Sequence, residues 1–225
     1  LADAPAGLGE AMMVTEYSRQ TQGFLVDSVD RIIRVDWEKV KAPESMLAGN
    51  EGLITSVTKL DDGRLVSILD VEQILVQAFG ETDIPDVTPV QSEGEMTIFF
   101  ADDSMVARKE IMQVLDKLGV KYYQASNGKE AWDKLQAMAA QSVDIPLMER
   151  LRLILVDAEM PEMDGYVLTR NIKSDGRFGG IPVVMHSSLS SEANRSMGKT
   201  VGVDDYVAKF NPAVLAETMR QYLER

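Results

Sequence analysis

Five residues of this 225-residue chain have the types and the spacing for phosphoryl chemistry: Asp102, Asp103, Asp157, Ser187 and Lys209. Asp102 and Asp103 follow the apolar run Ile98-Phe99-Phe100-Ala101. Neighbouring carboxylates repel, and a divalent cation held between them relieves the repulsion. Three acids with open metal positions and a lysine suit a group whose equatorial oxygens must be neutralised while a nucleophile is aligned. A carboxylate can be that nucleophile and become an aspartyl phosphate. Each residue also has a plainer role. Asp102-Asp103 alone reads as a solvated loop, Lys209 as a surface charge, and Ser187 as a polar loop residue beside the competing Ser188. His186 reads as a structural residue. It is the convergence of the set that favours phosphoryl handling.

Composition narrows the chemistry. There is no cysteine and one histidine, so no disulfide or Cys/His zinc site is available, and any metal is a hard cation held by oxygen. The formal net charge of −13 argues against nucleic-acid binding, which needs a basic surface. No apolar run approaches the ~18 residues of a membrane span, and no signal-peptide pattern opens the chain, so a cytoplasmic location is expected without direct membrane insertion. The chain begins at Leu1 without an initiator Met, as a fragment would.

The elements that must position these residues lie after residue 95. MTIFFA, KYYQAS, LRLILVD, IPVVMHS and DDYVAK read as strands, most of them buried runs. Helices alternate with them: VARKEIMQVLDKL capped by Ser104 and ended by Gly119, GKEAWDKLQAMAA capped by Asn127, GYVLTRNIKS, a short one around SEANRSMGK, and a last one opened by Asn211-Pro212. Five β–α units predict a doubly wound parallel sheet. Ligands bind beyond the carboxyl ends of such strands. Asp102 and Asp103 end the first strand, Asp157 the third, Ser187 the fourth and Lys209 the fifth. Asp157, on the central strand, is the expected nucleophile. Asp102 and Asp103 hold the metal, Lys209 pairs with a phosphate oxygen and Ser187 donates to the phosphoryl group.

Before residue 84 the texture differs. AMMVTEY, GFLVDSV, DRIIRVDW, LITSVTKL and RLVSILDV read as strands, the last two joined by the turn Leu60-Asp61-Asp62-Gly63-Arg64, and VEQILVQAF as a short helix. This half is mostly β, a small barrel or sandwich. Residues 84–95 hold two prolines and little to bury, which marks a linker. The expected division is 1–83, 84–95 and 96–225.

ADDS, LVDAEMPEMDGY, VVMHSS and DDYVAK resemble the receiver domain of two-component response regulators. The resemblance implies strand order 2-1-3-4-5, bound Mg²⁺, and phosphorylation of Asp157 by a histidine kinase. It adds Asp157 itself and the backbone carbonyl of Glu159 to the Mg²⁺ ligands. It also implies a switch in which Ser187 moves toward the phosphate and Tyr206 turns inward. Two features depart from the pattern: Lys209-Phe210-Asn211-Pro212 replaces Lys-Pro, and residues 141–150 lengthen the connection into the third strand. TEYSRQTQGFLVDSVDRIIRVDWEKV and KLDDGRLVSILDVEQIL resemble the CheW-like coupling module of bacterial chemotaxis, a partial barrel here, with further strands implied upstream of Leu1. The fusion resembles CheV-type coupling proteins. It implies an adaptor, not an enzyme, whose partners are chemoreceptor cytoplasmic tips and the chemotaxis histidine kinase. Two other functions share the chemistry: a phosphate sink that drains the kinase, and a haloacid-dehalogenase-type phosphatase. The latter needs an acid two residues after its first-strand nucleophile, where this chain has Ser104 after Asp102.

Overall fold

Apolar alternation accounts for most elements of the computed structural model, which describes residues 11–17, 20–41, 53–80, 84, 86–90, 96–141, 145–188, 192–209 and 211–224. The chain divides into two compact units, one ending at Val35 and one beginning at Asp36. The described part of the first unit holds an antiparallel pair, β1 (Ala11–Tyr17) and β2 (Gln20–Val26), in the register Ala11 opposite Val26. Met12, Val14 and Leu25 are exposed on this pair.

Residues 30–37, expected as a strand, form none. The chain is irregular there and enters a 3₁₀ turn at Trp37–Lys39. A strand persists only with a ladder partner; none of the described strands pairs with this stretch, and Ile32 is 97% exposed.

In the second unit, β3 (Val40–Lys41), β4 (Ile54–Lys59) and β5 (Leu65–Leu69) form an antiparallel sheet in the order β3-β4-β5. The β4–β5 turn contains Gly63 at φ 88°, where a side chain would be strained. Helix α1 (Val71–Phe79) follows, its N-terminus capped by the Asp70 carboxylate, which accepts from the Gln73 N–H at 2.9 Å.

Five parallel strands come next: β6 (Thr97–Ala101), β7 (Lys121–Ala125), β8 (Leu151–Val156), β9 (Val183–Ser187) and β10 (Asp205–Ala208). Their order, β10-β9-β8-β6-β7, is the 2-1-3-4-5 order of the sequence expectation. The helices are α2 (Met105–Leu118), α3 (Gly128–Gln141), α5 (Gly165–Ser174), α6 (Glu192–Val201) and α7 (Pro212–Leu223), and a one-turn α4 (Leu147–Arg150) stands in the lengthened connection before β8.

The sheet's two faces alternate residue by residue. Ile98, Phe100, Leu153 and Leu155 pack with α2 and α7 through Ile111, Leu115, Leu215 and Met219. Phe99, Ala101, Ile154 and Val156 pack with α3 and α5 through Leu135, Leu168 and Ile172. The expected linker buries more than its composition suggests: Ile84, Val87 and Val90 lie against the first of these cores, and the Val90 N–H donates to the Leu118 carbonyl at 3.0 Å.

Helix α5 starts hard against the end of β8. A Cβ on Gly165 would strike the carbonyl of Asp157, and the Gly165 N–H donates to the Ala158 carbonyl at 3.0 Å. Gly165→Ala is expected to lower the unfolding free energy by about 1–3 kcal/mol, the usual cost of overpacking. Urea denaturation checks this, and an unchanged midpoint would contradict the close approach.

Candidate functional site

The sheet delivers its polar residues to one edge because the backbone ladder runs past the last apolar residue of each strand. Asp157 N–H donates to the Ala101 carbonyl at 2.9 Å, Lys209 N–H to the Ser187 carbonyl at 3.2 Å, and Asp102 N–H to the Ala125 carbonyl at 3.2 Å. Arg108, from α2, pins the turn by donating to the carbonyls of Asp102 (2.8 Å) and Asp103 (2.9 Å). The Asp102 carboxylate accepts from the Ser104 N–H at 3.0 Å, and the Ser104 hydroxyl accepts from the Ala107 N–H. One turn of chain therefore orients an acid and caps a helix.

At the centre is Lys209, 4% exposed. Its Nζ lies 3.0 Å from Asp157 Oδ2, 2.9 Å from Asp102 Oδ2 and 3.2 Å from Glu72 Oε1. Burial alone would lower the pKa of this ammonium, but Asp102, Asp157, Glu72 and Asp103 together hold it well above its ordinary value. Burial likewise raises Asp102, yet Lys209 and then His186 outweigh it and leave Asp102 below its ordinary value. Asp157 goes the other way. Burial dominates, and Asp102 and Asp103 add to it, so its pKa is raised well above normal despite Lys209. Asp103 is pushed up to about 7 by burial and by Asp102, and Glu110, from α2, to about 7 by burial and then Glu72.

A hard cation fits this donor set. Asp102, Asp103 and Asp157 each offer an oxygen, and the three atoms lie within 4.8 Å of one another. Burial first, and then the neighbouring carboxylates, raise Asp103 and Asp157, and a divalent cation among them would favour their ionised forms. Glu159, two residues after Asp157, is exposed, and its N–H donates to Asp157 Oδ1 at 3.4 Å. Ser187 is buried at the end of β9 and hydrogen-bonds the half-buried Tyr206, whose ring lies 4.9 Å under the Arg195 guanidinium. The described residues hold no cis peptide, and Phe210 lies outside them.

The structure therefore brings Asp102, Asp103, Asp157 and Lys209 into one cluster, with Ser187 and Tyr206 joined at the ends of the neighbouring strands. Two members of this neighbourhood were not assigned to the site from sequence. His186 is buried with Nδ1 3.8 Å from Asp102 Oδ2, and burial lowers its pKa. The alternation that aims Phe100 and Leu155 at one core could have flagged its burial, since it lies within a buried strand. Glu72 comes from α1, 137 residues from Lys209, and no local pattern announces it.

Residues 3–79 match the family model of the CheW-like domain, and residues 98–220 match that of the response regulator receiver domain. The chemotaxis protein CheV1 of Helicobacter pylori is 31% identical over 97% of this chain and 68% of its own length. CheV3 of the same organism is 32% identical over 95% of this chain and 70% of its own. The chain belongs to the CheV-type chemotaxis family. It joins a CheW-like domain to a receiver domain. It is a chemotaxis coupling adaptor with a phosphorylatable receiver, a regulatory phosphoacceptor rather than a catalyst. The chemotaxis protein CheY1 of Helicobacter pylori is 34% identical over 57% of this chain and 97% of its own length. No helix among the described residues is long and apolar enough to cross a membrane.

The charge balance predicts an unusual pH dependence. Between about pH 4 and 7 the folded chain holds protons on Asp103 and Glu110 that the unfolded chain has released, so stability falls as pH rises through that window. Asp102 acts oppositely, its contribution being lost only as pH falls below its ordinary value. In chelator, the unfolding free energy is expected to drop by on the order of a few kcal/mol from pH 5 to pH 8. Mg²⁺ should shrink the drop by favouring the ionised carboxylates. Urea denaturation across pH with and without Mg²⁺ measures it, and a flat profile in chelator would contradict the electrostatics.

Proposed function

We infer that the receiver accepts a phosphoryl group on Asp157 in an Mg²⁺-dependent reaction and thereby alters how the coupling domain joins chemoreceptors to the chemotaxis histidine kinase. The observation that carries this is the contact of Lys209 Nζ with Asp157 Oδ2 at 3.0 Å inside a trio of carboxylates with converging oxygens. Asp102, Asp103 and Asp157, with the Glu159 backbone carbonyl, would hold the cation. Bound there, Mg²⁺ neutralises phosphoryl oxygens and screens the carboxylates from the incoming anion.

The chain's own residues do the rest. An Asp157 carboxylate oxygen attacks the phosphorus of an N-phosphohistidine on the kinase, or of a small acyl phosphate. The new O–P bond forms as the donor's N–P or O–P bond breaks, and the electron pair leaves with the donor, which takes any proton it needs from water. Lys209 then pairs with a phosphoryl oxygen as a fixed point charge. Ser187 gives up its bond to Tyr206 and donates to the phosphoryl group. Tyr206 follows the vacated space, so the outer surface of β10 reports the state of the site. Loss of the phosphoryl group reverses these steps with water as acceptor, and the exposed Glu159 side chain stands near its path. The parts are a coupling module through residue 83, a connecting strap at 84–95 and a receiver over 96–225, working in the cytoplasm.

Asp157→Ala is expected to abolish Mg²⁺-dependent phosphorylation by acetyl phosphate, read as the loss of one phosphoryl mass. It should also change kinase activity in receptor–kinase assemblies containing the adaptor. If the variant leaves coupling intact and only frees phosphoryl flux to other receivers, the chain is a sink rather than a regulated adaptor.

A further inference from the structure

Glu72 belongs to α1, inside the region matching the CheW-like domain, yet its carboxylate is buried in the receiver's phosphorylation site. Oε1 lies 3.2 Å from Lys209 Nζ, while Oε2 is buried without a hydrogen-bond partner. The helix starts also face each other across the same boundary: the Asp70 carboxylate, which caps α1, lies in the electrostatic neighbourhood of Ser104, which caps α2. In the loop after Asp157, the Glu162 N–H donates to the Val40 carbonyl of β3 at 3.2 Å, and Glu162 holds φ at 67°, rare for a residue with a side chain. The coupling-domain segment thus touches the receiver at Lys209 and again in the loop that follows Asp157.

Glu72 is not one of the three acids whose oxygens converge on a cation position. It sits on the lysine side, taking a hydrogen-bonding position on the ammonium that a phosphoryl oxygen on Asp157 would need. A half-satisfied buried carboxylate is a costly arrangement, tolerable only while Lys209 compensates it. Once Asp157 carries a phosphoryl group, Lys209 is shared with a group of higher negative charge and Glu72 faces like charge in a dry site. Two anions then compete for one ammonium, and the one on a separable helix is the one that can leave.

We propose that Glu72 is a built-in competitor of the phosphoryl group: seated on Lys209 it latches α1 onto the unphosphorylated receiver, and phosphorylation of Asp157 unseats it. The latch rests on the phosphoacceptor role inferred above and supplies its route to the coupling domain. Modification of Asp157 is converted into release of the helix that closes the CheW-like domain. It also sets a cost on activation, because the apparent affinity for a phosphoryl group falls by the fraction of time the latch is open.

The test uses the full chain with Mg²⁺ and beryllofluoride as the phosphoryl mimic, comparing wild type with the isosteric Glu72→Gln and with Glu72→Ala. A latch closed nine-tenths of the time predicts about tenfold tighter beryllofluoride binding in both variants. In wild type, amide hydrogen exchange over Val71–Phe79 should accelerate when beryllofluoride binds; in the variants it should already be fast without it. Unchanged affinity in both variants, or unchanged exchange in wild type on binding, overturns the latch while leaving the phosphoacceptor role standing. If wild type neither binds beryllofluoride nor accepts a phosphoryl group from acetyl phosphate, the phosphoacceptor role fails and the latch with it.

Discussion

A single buried ammonium, Lys209, holds together a site that would otherwise fly apart. Asp102, Asp157 and Glu72 all lie within 3.2 Å of Nζ, with Asp103 close behind. One ammonium faces four carboxylates, and burial together with their mutual repulsion raises the pKa of Asp157 and Asp103. The arrangement leaves a position that a divalent ion can fill among the aspartates, and it makes the site responsive to any further change in charge.

The rest of the second unit can be understood as the scaffold that makes this crowding rigid. Both faces of the five-stranded sheet are covered, so Phe99, Phe100, Ile154 and Leu155 are fully buried and fix where β6 and β8 end. Arg108 and Ser104 fix the turn that carries Asp102 and Asp103, and the close approach of Gly165 to Asp157 fixes the other wall. Each support is uncharged or points its charge at backbone carbonyls, which leaves Lys209 to the carboxylates alone.

Much of this was legible in the sequence because it is local. Buried strands announced themselves as apolar runs, caps as Ser104, Asn127 and Asn211, and strand ends as the acids and the lysine that follow. The grouping of the four charged residues followed from the β–α alternation, and the strand order from the resemblance to receiver domains. What was not legible depends on contacts between distant segments. Residues 30–37 have a strand's composition but find no partner among the described strands. Residues 84–90 look like a free linker, yet three apolar side chains find a core to lie against. Glu72 reads as an ordinary first-turn acid of a short helix; only the placement of α1 beside α2 puts it in the site. His186 was visible as a lone histidine, but its partner Asp102 lies 84 residues away, on another strand.

The proposed competition for Lys209, which would join chemistry in the receiver to mechanics in the coupling domain, is most directly tested by the crystal structure of the full chain with Mg²⁺ and beryllofluoride. The expected structure has the cation among Asp102, Asp103 and Asp157, a fluoride ligand on Lys209 Nζ, and Glu72 withdrawn with α1. A beryllofluoride-bearing Asp157 with Glu72 still seated on Lys209, or Mg²⁺ bound away from the three aspartates, would contradict the account.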